Sequence, residues 1–278
     1  MSENQRYDEI LNKFDGAQLP EGRGKEAIWE AIEAQTDSDE EATKVVSIKR
    51  QFLLVAASVT LLVLAGWFFL ANPNELLEVA TLTGESQEIE LPDGSKVFLN
   101  AESKISYSSD WDRDIGLEGE AFFEVIKGST FTVQTAHGSV QVLGTSFNVL
   151  DRSDEMAVTC KTGKVRVNIE EQQYSETIIP GEMVQLLGDT VKRFTRNVDV
   201  IGKWKSGEFY FQDQELSRVM DEMMRQFDVT IDVQAVGEMK FTGYFHNKDL
   251  DQALELVCLP LNLTYTQDQN GVLVIQQQ

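Results

Sequence analysis

The feature that most constrains this chain is an unbroken apolar run, Phe52 to Ala71, reading FLLVAASVTLLVLAGWFFLA. No charged residue falls between Arg50 and Glu75. About twenty helical residues rise about 30 Å, the hydrocarbon thickness of a bilayer. In that medium a helix satisfies its own backbone hydrogen bonds. Trp67, Phe68 and Phe69 lie near the far end, where aromatic rings favour the membrane interface. Asn72-Pro73-Asn74 then stops the helix. The spacing therefore predicts one transmembrane helix at 52–71. A buried core helix rarely runs this far without a charge, and a cleaved signal has a shorter apolar stretch nearer the chain start.

Sidedness follows from the flanks. Lys44, Lys49 and Arg50 precede the run, in and around a basic juxtamembrane segment at 45–51, while Glu75 and Glu78 follow it. The positive-inside rule puts the N-terminus in the cytoplasm and exports the C-terminal part. The expected location is the inner membrane, crossed once, with periplasmic C-terminal domains.

Residues 1–44 carry a helical pattern. Tyr7, Ile10, Leu11 and Phe14 fall on one stripe, and Asp15-Gly16 ends it. A second stripe uses Ala27, Ile28, Ala31 and Ile32, with Trp29 beside it. Two short helices cannot bury a core alone. Exposed aromatic side chains on a charged segment therefore point to a protein partner, with disorder as the alternative.

From 79 to 197 the period is two. Val97 and Leu99, Phe131 and Val133, Val140 and Val142, and Val165, Val167 and Ile169 alternate with polar neighbours. Turn signals punctuate them at Pro92-Asp93-Gly94, Gly163, Pro180-Gly181 and Gly188-Asp189. Short strands between frequent turns predict an all-β domain. From 204 to 278 the pattern changes to β-α-β-β-α-β-β, a small α+β domain. Its helical stripes are Leu216, Val219, Met220, Met223, Met224 and Phe227, then Leu250, Ala253, Leu254 and Val257.

One set of motifs is more specific than periodicity. It runs Leu91-Pro92-Asp93-Gly94-Ser95, Leu99-Asn100, Leu117-Glu118-Gly119-Glu120-Ala121-Phe122-Phe123-Glu124-Val125, then Gly144-Thr145-Ser146-Phe147-Asn148-Val149 and Gly163-Lys164-Val165. This resembles the FecR family of transmembrane anti-sigma regulators over roughly residues 80–190. Trp204, Gly207, Phe209, Phe211, Leu216 and Phe241-Thr242-Gly243 resemble the C-terminal domain of Bacteroidetes-type members. Its element order is similar to the short signalling domain of TonB-dependent transducers.

The resemblance implies that residues 1–44 bind an extracytoplasmic-function sigma factor, with Tyr7, Ile10, Leu11, Phe14, Ile28, Trp29 and Ile32 as the contacting stripe. It implies a periplasmic signal from the signalling domain of a TonB-dependent outer-membrane receptor. Regulated proteolysis near the apolar run is implied too. The motif residues Leu91, Pro92, Asp93, Gly94, Ser95, Gly119, Glu120, Phe122, Phe123, Gly144, Thr145, Phe147 and Asn148 read as fold-defining. Phe122 and Phe123 point to opposite faces of a strand, so only one of them enters a single core.

Chemistry is sparse. The net charge of −22 argues against nucleic acid and anionic lipid as partners. Two histidines leave little for metal binding. Glu120 and Glu124 share a strand face about 13 Å apart, too far to cooperate as a glycosidase pair. The acidic loop Asp110-Trp111-Asp112-Arg113-Asp114 lacks the glycine and closing glutamate of a calcium loop. No serine sits in a nucleophile elbow and no phosphate loop occurs. Cys160 and Cys258 read as buried residues, and a disulfide between them would have to bridge two domains. The expectation is a regulator, with no enzymatic activity and no cofactor. The alternative is a membrane-anchored periplasmic module that binds carbohydrate or cell wall.

Overall fold

The structure is a computed structural model that describes residues 30, 33, 48–71, 75–233 and 238–277. The chain divides into two compact units, 1–72 and 73–278.

In the first unit the apolar run folds as helix α1 (Ile48–Ala71), which starts early enough to include Lys49 and Arg50. Among the described residues no helix is long and apolar enough to cross a membrane. The expected transmembrane helix, and with it the multi-domain membrane fold, is therefore corrected. Helix α1 carries the charged Lys49 and Arg50 in its first turn. Val55, Val59, Leu61 and Leu62 on it are exposed.

The second unit begins with thirteen linked strands. The longest, β5 (Asp114–Glu124), organises the rest. Its first half pairs with β4 (Lys104–Ser108) and, in parallel, with β6 (Phe131–Gln134). Its second half pairs with β3 (Lys96–Leu99) and β8 (Ser146–Arg152). One strand thus serves two sheets, and Gly119 stands where it changes from one to the other. Its φ of 99° lies in the left-handed region, and a Cβ there would come within 2.8 Å of the Ser103 backbone. Only glycine meets both demands cheaply. Beyond β8 the order continues through β9 (Glu155–Thr162) and β12 (Glu182–Leu187) to β13 (Thr190–Thr195).

Alternation decides what each face buries. Along β5, Ile115, Leu117, Ala121 and Phe123 point into the core between the sheets. Phe123 stacks on Phe147 with centroids 5.0 Å apart and meets Phe131 edge-on at 6.2 Å. In β10 (Val165–Ile169), Val165, Val167 and Ile169 are buried and Arg166 is exposed.

Two short 3-10 turns, Val198–Val200 and Lys203–Ser206, lead to the second domain of this unit. Strand β14 (Glu208–Glu215) pairs with β16 (Lys240–His246). Helix α2 (Leu216–Phe227) follows β14 directly, and α3 (Leu250–Cys258) follows β16. Strand β15 (Ile231–Asp232) runs parallel to β18 (Leu273–Gln277), which also pairs with β17 (Leu263–Gln267). Leu216, Val219, Met220 and Met223 bury the apolar stripe of α2 against Phe241, Phe245, Leu254 and Val257. The α3 N-terminus is capped by Asp249, whose carboxylate accepts from the Gln252 amide. At the last hairpin, Asp268 accepts from the Asn270 and Val272 amides, and Gly271 takes φ 85°.

Candidate functional site

The stripe Tyr7, Ile10, Leu11, Phe14, Ile28, Trp29 and Ile32 lies outside the described residues. The motif residues within them separate into two groups.

The first group builds turns and core. Leu91-Pro92-Asp93-Gly94-Ser95 closes the hairpin between β2 (Gln87–Glu90) and β3, with Gly94 at φ 82°. Asp93 accepts from the Ser95 amide at 2.9 Å and pairs with Arg113 at 2.9 Å. The Ser95 hydroxyl accepts from the Ile126 amide at 3.1 Å. Gly144 leaves room for the Lys127 backbone, which a Cβ would approach to 2.8 Å. Thr145 donates to the Lys164 carbonyl. Phe123 and Phe147 belong to the core.

The second group faces the other way. Glu120 and Phe122 lie on the opposite side of β5, and Asn148 beside them on β8, at the seam between the β domain and the α+β domain. Phe122 is buried, but under the connecting turns rather than in the core between the sheets. Gly202 passes so close that a Cβ there would sit 2.6 Å from the Phe122 ring. The Lys205 ammonium lies 4.1 Å from that ring's centroid and 3.8 Å from that of Phe98, and it pairs with Glu124 at 2.8 Å. Burying an aromatic ring beneath a cation in this way adds a cation–π attraction to the apolar contact.

Beside this apolar patch runs a chain of hydrogen bonds. The Trp204 indole donates to Asn148 Oδ1 at 2.9 Å. Asn148 Nδ2 donates to Glu120 Oε1 at 2.8 Å. Asn100 Nδ2 donates to Glu120 Oε2 at 2.7 Å and to Glu222 Oε1 of α2 at 3.2 Å. Gln226 donates to Asn100 Oδ1 and to Glu222, both at 2.9 Å. Arg225 closes the series with two bonds to Glu222 Oε2. Asn100 is thus the junction: its amide protons reach one carboxylate from each domain. Such a network is stabilising only when every member is satisfied, and here the amides are.

A second contact lies further along the seam. Arg218 of α2 reaches Glu155 at 2.6 Å and Asp154 at 2.9 Å, both at the start of β9 or just before it. Glu155 is buried and also accepts from Gln185. Arg196 bonds Gln212 at 3.1 Å. Between these contacts a cavity of about 240 Å³ opens, lined by both domains, with Glu120, Asn148, Trp204, Phe209, Arg196 and Glu222 in its wall.

The electrostatics follow from this enclosure. Loss of water and the neighbouring Glu222 carboxylate push Glu120 above the ordinary carboxylate range, against the pull of its two asparagine donors and Arg152. Burial lowers Arg152 and Arg196. The guanidinium of Arg152 spends its Nη donors on the carbonyls of Ala101 and Glu102 and on Ser103 Oγ. Both cysteines are free and buried, and burial pushes each thiol up to about 11.

Glu120 and Glu124 are held by different partners, Asn100 and Asn148 for one and Lys205 for the other. The sequence pattern reads Glu120, Phe122 and Asn148 as fold-defining, and the structure adds that Asn148 bonds Trp204, Phe122 lies under Lys205, and Glu120 is tied to the second domain through Asn100. Arg218, Glu222, Arg225 and Gln226 carry no sequence signal beyond the i, i+4 spacing of Glu222 and Gln226 on the polar flank of α2.

Known proteins resemble the chain in two segments. The family described as FecR protein matches residues 78–166, and FecR, C-terminal, matches residues 208–274. Two crystal structures of a candidate anti-sigma factor from Parabacteroides distasonis are similar. One, at 2.50 Å resolution, has a TM-score of 0.69 and 28% identity, covering 73% of this chain and 100% of its own. The other, at 1.65 Å, has a TM-score of 0.68 and 28% identity, covering 73% of this chain and 99% of its own. No curated protein matches the chain.

Proposed function

We propose, from the premise that this chain belongs to the FecR family of anti-sigma factors, that it holds an extracytoplasmic-function sigma factor and responds to a signal read by its two folded domains. In this reading residues 1–44 contact the sigma factor through Tyr7, Ile10, Leu11, Phe14, Ile28, Trp29 and Ile32. Burying a few such side chains, at about 1.5–3 kcal/mol each, offsets the cost of ordering a short segment. The folded domains receive the signal from the signalling domain of a TonB-dependent outer-membrane receptor.

The observation that supports this reading best is the seam. Its hydrogen bonds run from β5 and β8 through Asn100 to Glu222 and Gln226 on α2. A partner that shifts α2 therefore strains motif residues of the β domain directly. A receiver that couples one domain to the other suits a signal relay better than a passive anchor for a binding module.

Residues 1–50, used as bait in a lysate of the source cell, are expected to retain a sigma factor. Trp29→Ala is expected to lose it and to change expression of the regulated genes. Recovery of no sigma factor, with unchanged regulation by Trp29→Ala, would sink this reading.

A further inference from the structure

The seam has a charge arrangement that the hydrogen bonds alone do not explain. One amide nitrogen, Asn100 Nδ2, serves carboxylates from both domains, Glu120 at 2.7 Å and Glu222 at 3.2 Å. Two carboxylates brought together out of bulk water repel, and such a pair is most stable when it shares one proton. The surrounding charges do not remove the conflict. Arg225 pairs with Oε2 of Glu222, while Oε1 accepts from Gln226 and from the Asn100 nitrogen that also serves Glu120. Arg152 contributes its field but gives its Nη donors to Ala101, Glu102 and Ser103. Glu102 and Asp221 add further negative charge around these two arginines. Lys205 is engaged with Glu124. The cavity that reaches Glu120 and Glu222 gives the pair a route to water.

We propose that this seam is a proton-dependent latch, in which closing the two domains places one proton from solvent on Glu120, against the Glu222 carboxylate, and losing that proton opens the seam along the cavity. The closed state favours that proton because the two carboxylates converge on one amide nitrogen only there. When the domains part, Glu120 regains water and leaves the Glu222 carboxylate. The raised proton affinity of closed Glu120 fixes the sign. The latch contribution is fully present below the ordinary carboxylate value. It is lost as pH climbs through the raised one. Trp204, Asn148 and Gln226 keep the geometry, and the proton decides how firmly it holds.

The test uses the full-length chain with spin labels on Thr190→Cys in the β domain and Lys248→Cys in the α+β domain. Both positions are exposed, while native Cys160 and Cys258 are buried. Interdomain distance distributions are recorded across a pH series. The fraction of open molecules is expected to rise with pH, the opening constant growing by up to about tenfold per pH unit between the ordinary and the raised carboxylate value. Glu120→Gln and Glu222→Gln each remove one of the two repelling charges, and each is expected to flatten that slope. If Glu120→Gln does not fold, Glu222→Gln decides alone. A wild-type distribution that does not change with pH, or a wild-type slope retained by either folded variant, overturns the proposal.

Discussion

Two faces of strand β5 differ more than any two elements of this molecule. The inward face places Leu117, Ala121 and Phe123 in an apolar core, where Phe123 is fully buried and stacked on Phe147. The outward face places Glu120, Phe122 and Glu124 at the seam, where Asn100 and Asn148 hold the first, the turn at Gly202 covers the second and Lys205 pairs with the third. Both faces are buried at neighbouring positions, since Phe122 and Phe123 are 1% and 0% exposed. What distinguishes them is what covers them. A core tolerates no polar gap and is held by area and packing, whereas a seam held by directional bonds can be released bond by bond.

The sharpest way to break the comparison is to delete both rings. Phe123→Ala leaves a cavity inside the β domain and is expected to cost about 3–5 kcal/mol in urea denaturation. Phe122→Ala removes a ring of the same size, but the connecting turns around Gly202 can settle into the gap. Its loss of stability is expected to be smaller, with the β domain still folded. Equal costs would mean that the seam is as rigid as the core.

A smaller effect is expected from Arg218→Ala. It strips Glu155, a buried carboxylate, of its 2.6 Å partner and leaves Gln185 as its remaining donor. A hydrogen bond to a charged group contributes about 1.5–3 kcal/mol, so the domains should separate before either unfolds. Differential scanning calorimetry would then show two transitions where the wild type shows one.

The alternation of the strands was legible in the sequence because it depends on one strand at a time. Val165, Val167 and Ile169 need only a buried side to declare themselves. Opposite orientations for Phe122 and Phe123 follow from the same rule. The identity of the second cover does not. Asn148 meets Trp204 across 56 positions of sequence, and Asn100 meets Gln226 across 126. No period of two or 3.6 reports a pairing of that range. Glu120 and Asn148 consequently read as residues of the fold alone. The apolar run at 52–71 taught the opposite lesson. Its composition suggests a membrane crossing, yet among the described residues no helix is long and apolar enough to make one. The stripe proposed to contact the sigma factor, Tyr7 to Ile32, lies outside the described residues.

The central claim is that Asn148 belongs to the core sheet by its backbone and to the second domain by its side chain. Asn148→Leu tests this directly, since it keeps the branching at Cγ and removes the bonds to Trp204 and Glu120. Interdomain distances between labels at Thr190→Cys and Lys248→Cys should broaden and lengthen, while the β domain keeps its near-ultraviolet circular dichroism. A distance distribution identical to that of the wild type, in a folded variant, would contradict the account.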